Sequence, residues 1–239
     1  MTIRPILAVS LLAALCLNAG AAMADEELAL FNGKDLAGWK LRNVDRTDTY
    51  KVVADVKLNQ ADPTKLIGEG EGAEGKGIMF RQPVAHGSDI ISEKTFGDCE
   101  IHVELMVARG SNSGIYLMGQ YEVQVLDSFG IPDDKINAGD NGAIYGATKP
   151  LKNASKAPGE WQTYDIVFQA PRFDAAGKKT ANAKAISVTL NGVEIQKDVE
   201  IKGPTGGQLP GGEKATGPLM LQGDHGIVAF RNIRVKTKN

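Results

Sequence analysis

The chain has 239 residues, 27 basic and 29 acidic side chains, and a formal net charge of −2. Charges of both signs are interspersed along it. That excludes the one-signed footprint of a nucleic-acid binder or of a protein held on an anionic membrane. Of its two cysteines one falls in the N-terminal leader, which leaves Cys99 alone and excludes an intrachain disulfide afterwards.

The leader is a targeting segment. Arg4 gives a short basic start, residues 6–17 form an apolar run too short to span a bilayer, and Ala22-Met23-Ala24 supplies small residues around a cleavage point. The expectation is a signal peptide over residues 1–24, a single mature domain over 25–239, a periplasmic or secreted location and no membrane span. Leu15 precedes Cys16 where a lipid-attachment signal wants a small residue, which argues against an anchor.

Beyond the leader helical periodicity is nearly absent. Short runs rich in Val, Ile, Tyr and Phe recur between Gly, Asn, Asp and Pro, as in an antiparallel β-protein. Strands are expected over residues 50–56 and 77–80, with a Gly/Glu-rich loop at 68–77. Residues 99–105 alternate most cleanly, placing Cys99, Ile101, Val103 and Leu105 on a buried face, with His102 and Glu104 opposite them. Residues 112–117 and 121–126 read as paired strands, and 131–157 as a long irregular insertion of the kind that often carries function. Residues 160–168 resume strand character. Asn191-Gly192 between two apolar runs signals a two-residue hairpin turn. A Gly/Pro-rich loop at 203–218 precedes strands at 219–222 and 227–235. The fold class is therefore all-β, a two-sheet antiparallel sandwich or jelly roll with long loops.

In the strand Tyr121-Glu122-Val123-Gln124-Val125-Leu126, the valines point one way, and Glu122 and Gln124 the other. Tyr116 on the preceding strand is placed on the face of Glu122, where a phenol stacks on or hydrogen-bonds a sugar. Glu104 and His102 are expected to extend that polar face. The spacing Glu122-x-Gln124-x-x-Asp127 echoes the paired carboxylates of sandwich-fold glucanases. Gln124 in the central place argues against an ordinary two-carboxylate glycosidase, and Asp127 reads equally well as a turn organiser with Ser128. His225, following Asp224 in a Gly-flanked turn, is the best acid/base candidate, because imidazole titrates near neutrality. Arg231 offers a donor fork for an oxyanion or, as plainly, a cross-sheet ion pair. The histidines are scattered and no cysteine pair exists, so no metal site or cofactor is expected, although a loop-bound calcium is compatible with the sequence.

Several motifs together are similar to one family. They are Leu30-Phe31-Asn32-Gly33-Lys34-Asp35-Leu36-x-Gly38-Trp39, Asn112-Ser113-Gly114-Ile115-Tyr116-Leu117, the Tyr121 to Ser128 strand, Gly142-Ala143-Ile144-Tyr145-Gly146, Pro158-Gly159-Glu160-Trp161, and Leu221-Gln222-x-Asp224-His225-Gly226 followed by Phe230-Arg231-Asn232. They resemble the 3-keto-disaccharide hydrolases, a family of secreted bacterial proteins. The resemblance implies a concanavalin-like jelly roll and cleavage of sugars oxidised to a ketone at C3, by abstraction of the C2 proton. On it we expect Glu122, His225 and Arg231 to be catalytic, with Glu122 or His225 as base and Arg231 facing the enolate oxygen. Tyr116, Gln124, Glu104, Asp127, Tyr145, Gln222 and Asp224 are expected to contact substrate. The partner is then a sugar, with nucleic acid and membrane spans excluded and the oligomeric state open. A non-catalytic sugar-binding jelly roll is the alternative.

Overall fold

A computed structural model describes residues 27–238; the expected leader and its cleavage point lie outside the described residues. In chain order the strands are β1 (Glu27–Ala29), β2 (Trp39–Leu41), β3 (Tyr50–Val53), β4 (Asp55–Leu58), β5 (Leu66–Glu69), β6 (Ile78–Arg81), β7 (Ile90–Phe96), β8 (Cys99–Val107) and β9 (Asn112–Leu117). They continue as β10 (Tyr121–Leu126), β11 (Gln162–Gln169), β12 (Arg172–Phe173), β13 (Lys179–Ala181), β14 (Ala183–Leu190), β15 (Val193–Ile201), β16 (Gly217–Leu221) and β17 (Val228–Thr237).

All pairings between these strands are antiparallel. One large sheet runs β15-β14-β11-β8-β17-β6-β3 with β1 against β17, and a smaller one runs β10-β9-β16-β7-β2. The alternating face of β8, Cys99, Ile101, Val103 and Leu105, packs in one core with Tyr121, Val123 and Val125 of β10 and with Ile115, Leu221 and Phe230. Core residues from both sheets in one cluster make this a two-sheet sandwich, the jelly-roll architecture expected from the strand pattern.

Cys99 is buried, and burial pushes its thiol up to about 12, so it packs as a small apolar residue. Asn191 and Gly192 join β14 to β15 with φ of 52° and 80°, the left-handed pair a two-residue hairpin needs. The run expected as one strand over 50–56 divides instead. β3 joins the large sheet, and β4 turns off to pair with β5, whose last two residues, Gly68 and Glu69, fall in the stretch expected to be loop. Val56 and Leu66 of that hairpin cover Ile78, Phe80 and Met106 on the outer side of the large sheet. The two halves read as one apolar run because both bury side chains, Tyr50 in the main core and Val53 and Val56 on the outer side of the large sheet. No helix among the described residues is long and apolar enough to cross a membrane.

Candidate active site

Because Tyr121, Val123 and Val125 of β10 enter the core, Glu122 and Gln124 lie on the outer face of the small sheet. Register then builds two rows across it. Glu122 pairs with Tyr116, Tyr116 with Met220, and Met220 with Ile91. One step along, Gln124 pairs with Gly114, whose carbonyl accepts the Gln222 N–H at 2.9 Å. Asp89 just before β7 and Arg42 just after β2 continue that row, with the Arg42 N–H on the Asp89 carbonyl at 2.8 Å.

This face is covered. Leu209, in the 203–216 loop, packs on Ile91, Tyr116 and Met220, and Glu122 is only 3% exposed. Thr205 Oγ1 accepts the Glu122 N–H at 2.9 Å, and the Tyr116 hydroxyl lies 2.9 Å from Glu122 Oε2 and 2.9 Å from the Gly206 carbonyl. Arg42 bonds Asp89 Oδ2 at 3.1 Å and donates to the carbonyls of Gly207 at 2.7 Å and Gln208 at 3.1 Å, tying loop to sheet. Asp89 Oδ1 accepts from the Gly223 N–H at 3.0 Å and so fixes the start of the Asp224–His225 turn. Gly223 must be bare there: a Cβ would lie 2.3 Å from the Tyr50 hydroxyl. His225 Nδ1 meets Asp224 Oδ1 at 2.5 Å, and both side chains are about half exposed.

Burial raises the Glu122 carboxyl to about 7; the Tyr116 hydroxyl and His225 pull it down, and the charges of Asp89 and Asp224 push it up. Burial also lifts Asp89 above the usual carboxylate range, and lifts the Tyr116 phenol. Gln222 has its Oε1 buried without a partner, while its Nε2 sits 3.5 Å from the Tyr116 hydroxyl. A buried acceptor without a donor is costly, and a bound hydroxyl would satisfy it. The cluster thus holds a carboxyl able to give or take a proton near pH 7, an Asp–His pair at the exposed edge, and an amide with an open acceptor.

A family profile described as the 3-keto-alpha-glucoside-1,2-lyase-like domain matches residues 27–236. The chain belongs to this family. Its relatives include the 3-keto-disaccharide hydrolase of Bacteroides thetaiotaomicron, 27% identical over 89% of this chain and 79% of that protein. A crystal structure of a candidate glycosyl hydrolase from Parabacteroides distasonis is 31% identical, covers 90% of this chain and 84% of its own, and superposes with a TM-score of 0.63. A second such structure from that organism shares the fold at a TM-score of 0.55 and 19% identity, covering 89% of this chain and 94% of its own. The family is one of carbohydrate hydrolases, and the two solved structures share this chain's fold.

Of the residues the sequence pointed to, Glu122, Tyr116 and Gln222 meet on one face, with Asp224 and His225 beside them. Gln124 lies on the same face but is only 3% exposed; its amide donates to the Gly139 carbonyl and its Oε1 accepts the Val125 N–H, so it supports the insertion loop. Tyr145 gives its N–H to the Glu122 carbonyl at 3.1 Å, while its ring is exposed along a neighbouring groove of about 580 Å³ with Thr148 and Pro204. Asp127 accepts from the Gly110 and Phe129 N–H groups and organises its turn.

Two expectations need correction. Glu104 and His102 do not extend the Glu122 face, and Arg231 does not reach it. All three project from the outer side of the large sheet, across the core. There Arg231 Nε bonds Glu104 Oε2 at 2.7 Å and its guanidinium stacks 3.9 Å above the Trp161 ring. Asn232 Nδ2 also bonds Glu104, and His102 pairs with Asp165 at 2.6 Å. Alternation correctly separated polar from apolar on each strand but could not say which sheet each strand joins. Arg42, Asp89, Thr205 and Gly206 lie outside any motif: Arg42 and Asp89 flank strands and join the row only through register, whereas Thr205 and Gly206 reach it from the loop folded over the face.

Proposed function

We propose that the protein cleaves the glycosidic bond of sugars bearing a ketone at C3, by removing the C2 proton and expelling the C1 oxygen. The observation that carries this reading is Glu122, a carboxyl poised near pH 7 on the face of Tyr116 and Gln222 in a chain of this family. The C3 ketone acidifies the C2 hydrogen because the carbanion delocalises onto the ketone oxygen. Cleavage then needs one group to take the C2 proton and one to give a proton to the departing oxygen, and Glu122 and His225 are the two candidates. Water added across the resulting C1–C2 double bond completes net hydrolysis, returning a hydrogen to C2 and a hydroxyl to C1. Gln222 Oε1, an acceptor lacking its donor, is suited to hold a sugar hydroxyl.

The name of the Bacteroides thetaiotaomicron relative, a hydrolase, supports the full sequence, whereas the family description names a lyase. Product analysis by NMR after incubation with 3-keto-trehalose and 3-keto-glucosides separates them. The expected products are the free leaving-group sugar and a hydrated 3-keto-sugar, while an accumulating enone marks a lyase. Full turnover retained by both Glu122→Gln and His225→Ala would sink the assignment. Affinity for glycans with no loss of 3-keto-sugar over hours would make this a binding domain. We place the reaction outside the cytoplasm, in a mature chain beginning at Asp25, which N-terminal sequencing of the exported protein checks.

A further inference from the structure

Tyr116 has one hydroxyl hydrogen and faces two acceptors. Its oxygen is 2.9 Å from Glu122 Oε2 and 2.9 Å from the Gly206 carbonyl oxygen. A carbonyl only accepts, and so does an ionised carboxylate. With Glu122 ionised, one of these two short contacts is an oxygen facing an oxygen with no hydrogen between them. With Glu122 protonated the count closes: the carboxyl O–H donates to the phenol oxygen, and the phenol O–H donates to Gly206. Gln222 Nε2, at 3.5 Å, is too distant to alter the count.

Gly206 is not free to turn aside. Arg42 grips the next two carbonyls, and Thr205 donates its N–H to the Gln120 carbonyl at 2.9 Å. Further along the loop, Glu213 takes both Lys179 contacts, at 2.7 and 2.8 Å, and the Tyr121 hydroxyl at 2.5 Å. Gly207 adopts φ +78°, and a Cβ there would lie 2.5 Å from the Tyr116 hydroxyl, so loop backbone rests directly against the phenol.

We propose that the 203–216 loop keeps Glu122 protonated by claiming the Tyr116 hydrogen for Gly206, which makes Glu122 the acid and His225 the base of the reaction. The acid and base roles rest on the function proposed above; the hold of the loop on the proton does not. With Asp224 accepting the Nδ1 hydrogen of neutral His225, the ring's free lone pair is on Nε2, in a side chain about half exposed. Nε2 removes the C2 proton, the electron pair forms the C1–C2 double bond as the C1–O bond breaks, and the Glu122 proton goes to the leaving oxygen. The Glu122 carboxylate then takes a proton from the water that attacks C1, and His225 returns its proton to C2. Lys179, Glu213 and Arg42 are positioning residues.

The hold on the proton is read without substrate, from the pH titration of the Glu122 side-chain carboxyl by carbon-13 NMR, assigned through its loss in Glu122→Gln. The expected midpoint in the wild type is near neutrality. Lys179→Met, or Glu213→Gln as a second variant, should lower it by at least about half a unit towards the ordinary carboxylate value of ~4.3. An ordinary midpoint in the wild type, or a midpoint that neither variant moves, overturns the proposal. The roles are read from deuterium uptake at C2 of a 3-keto-glucoside in heavy water. Glu122→Gln should keep uptake within a few-fold while cleavage of a poor leaving group falls by roughly 10²–10⁴, and His225→Ala should lose both. Loss of uptake in Glu122→Gln makes Glu122 the base and overturns the roles. A wild type that neither exchanges nor cleaves any 3-keto-glycoside overturns the function and the roles together, leaving the titration to decide the loop's part.

Discussion

Glu122 folds its carboxyl over the bare backbone of Gly114, where a Cβ would lie 2.3 Å from Oε1 and 3.0 Å from the carboxyl carbon. The two residues sit on paired strands in adjacent rows, so the glycine is the space the carboxyl occupies. Alanine there leaves the strand intact but drives a flexible side chain aside. Misplacing a reacting group by about 1 Å can cost on the order of 100-fold in rate. Gly114→Ala should therefore lower kcat by roughly that factor while thermal stability changes by no more than about 1 kcal/mol. Steady-state kinetics beside a thermal melt checks it, and an unchanged kcat would show that the carboxyl need not sit there.

The same carboxyl makes stability depend on pH. A folded value of about 7 stands above the unfolded value of ~4.3, so the folded state holds this proton more tightly. Its stabilising contribution is complete below the unfolded value and drains away as pH rises through 7. By pH 8 the loss is roughly 3–4 kcal/mol. Glutamine cannot ionise, so Glu122→Gln should be more stable than the wild type at pH 8 by a large part of that, and the advantage should vanish near pH 4. Denaturant unfolding at the two pH values reads the difference directly, and an advantage that persisted at pH 4 would point to packing instead.

The sequence disclosed the sandwich because each strand carries its own alternation, and Asn191-Gly192 carries its turn. It disclosed Glu122 and Tyr116 together because a short connection fixes their register locally. Arg231 was misplaced for the same reason in reverse. Its strand alternates just as clearly, but β17 joins β8 in the large sheet, while Glu122 belongs to the small one. That choice is made by long-range pairing and leaves no local trace. Arg42 and Asp89 stayed hidden because they reach the site across β7, β16 and β9, a distance sequence spacing does not encode.

Arg231 supplies a test of that separation. Its ion pair with Glu104 is part-exposed, and such pairs contribute up to about 1 kcal/mol; its stacking on Trp161 adds roughly 0.5–1 kcal/mol. Arg231→Ala should cost about 1–2 kcal/mol of stability and leave kcat/KM on a 3-keto-glycoside unchanged. A tenfold fall in turnover by the folded variant would return Arg231 to the catalytic machinery.

Asn141 ties the long insertion to the site strand. Its Oδ1 accepts the Leu126 N–H at 3.1 Å and the Tyr164 hydroxyl at 2.7 Å, its Nδ2 donates to Ser155 Oγ at 3.0 Å, and the residue is 2% exposed. Alanine would strand two buried donors together, at about 1–3 kcal/mol each before relaxation. Tyr164 keeps a second acceptor in the Gln124 carbonyl at 3.2 Å, which softens the loss. Asn141→Ala should thus destabilise by roughly 2–4 kcal/mol. The insertion also carries Tyr145, whose N–H holds the Glu122 carbonyl, and Gly139, whose carbonyl holds the Gln124 amide. Loosening it should raise KM more than it lowers kcat, because Glu122 stays on its strand and His225 in its own turn while the wall beside them moves. Denaturant midpoints together with the kcat and KM split decide it; a large fall in kcat at unchanged KM would place Asn141 in the chemistry rather than in the wall.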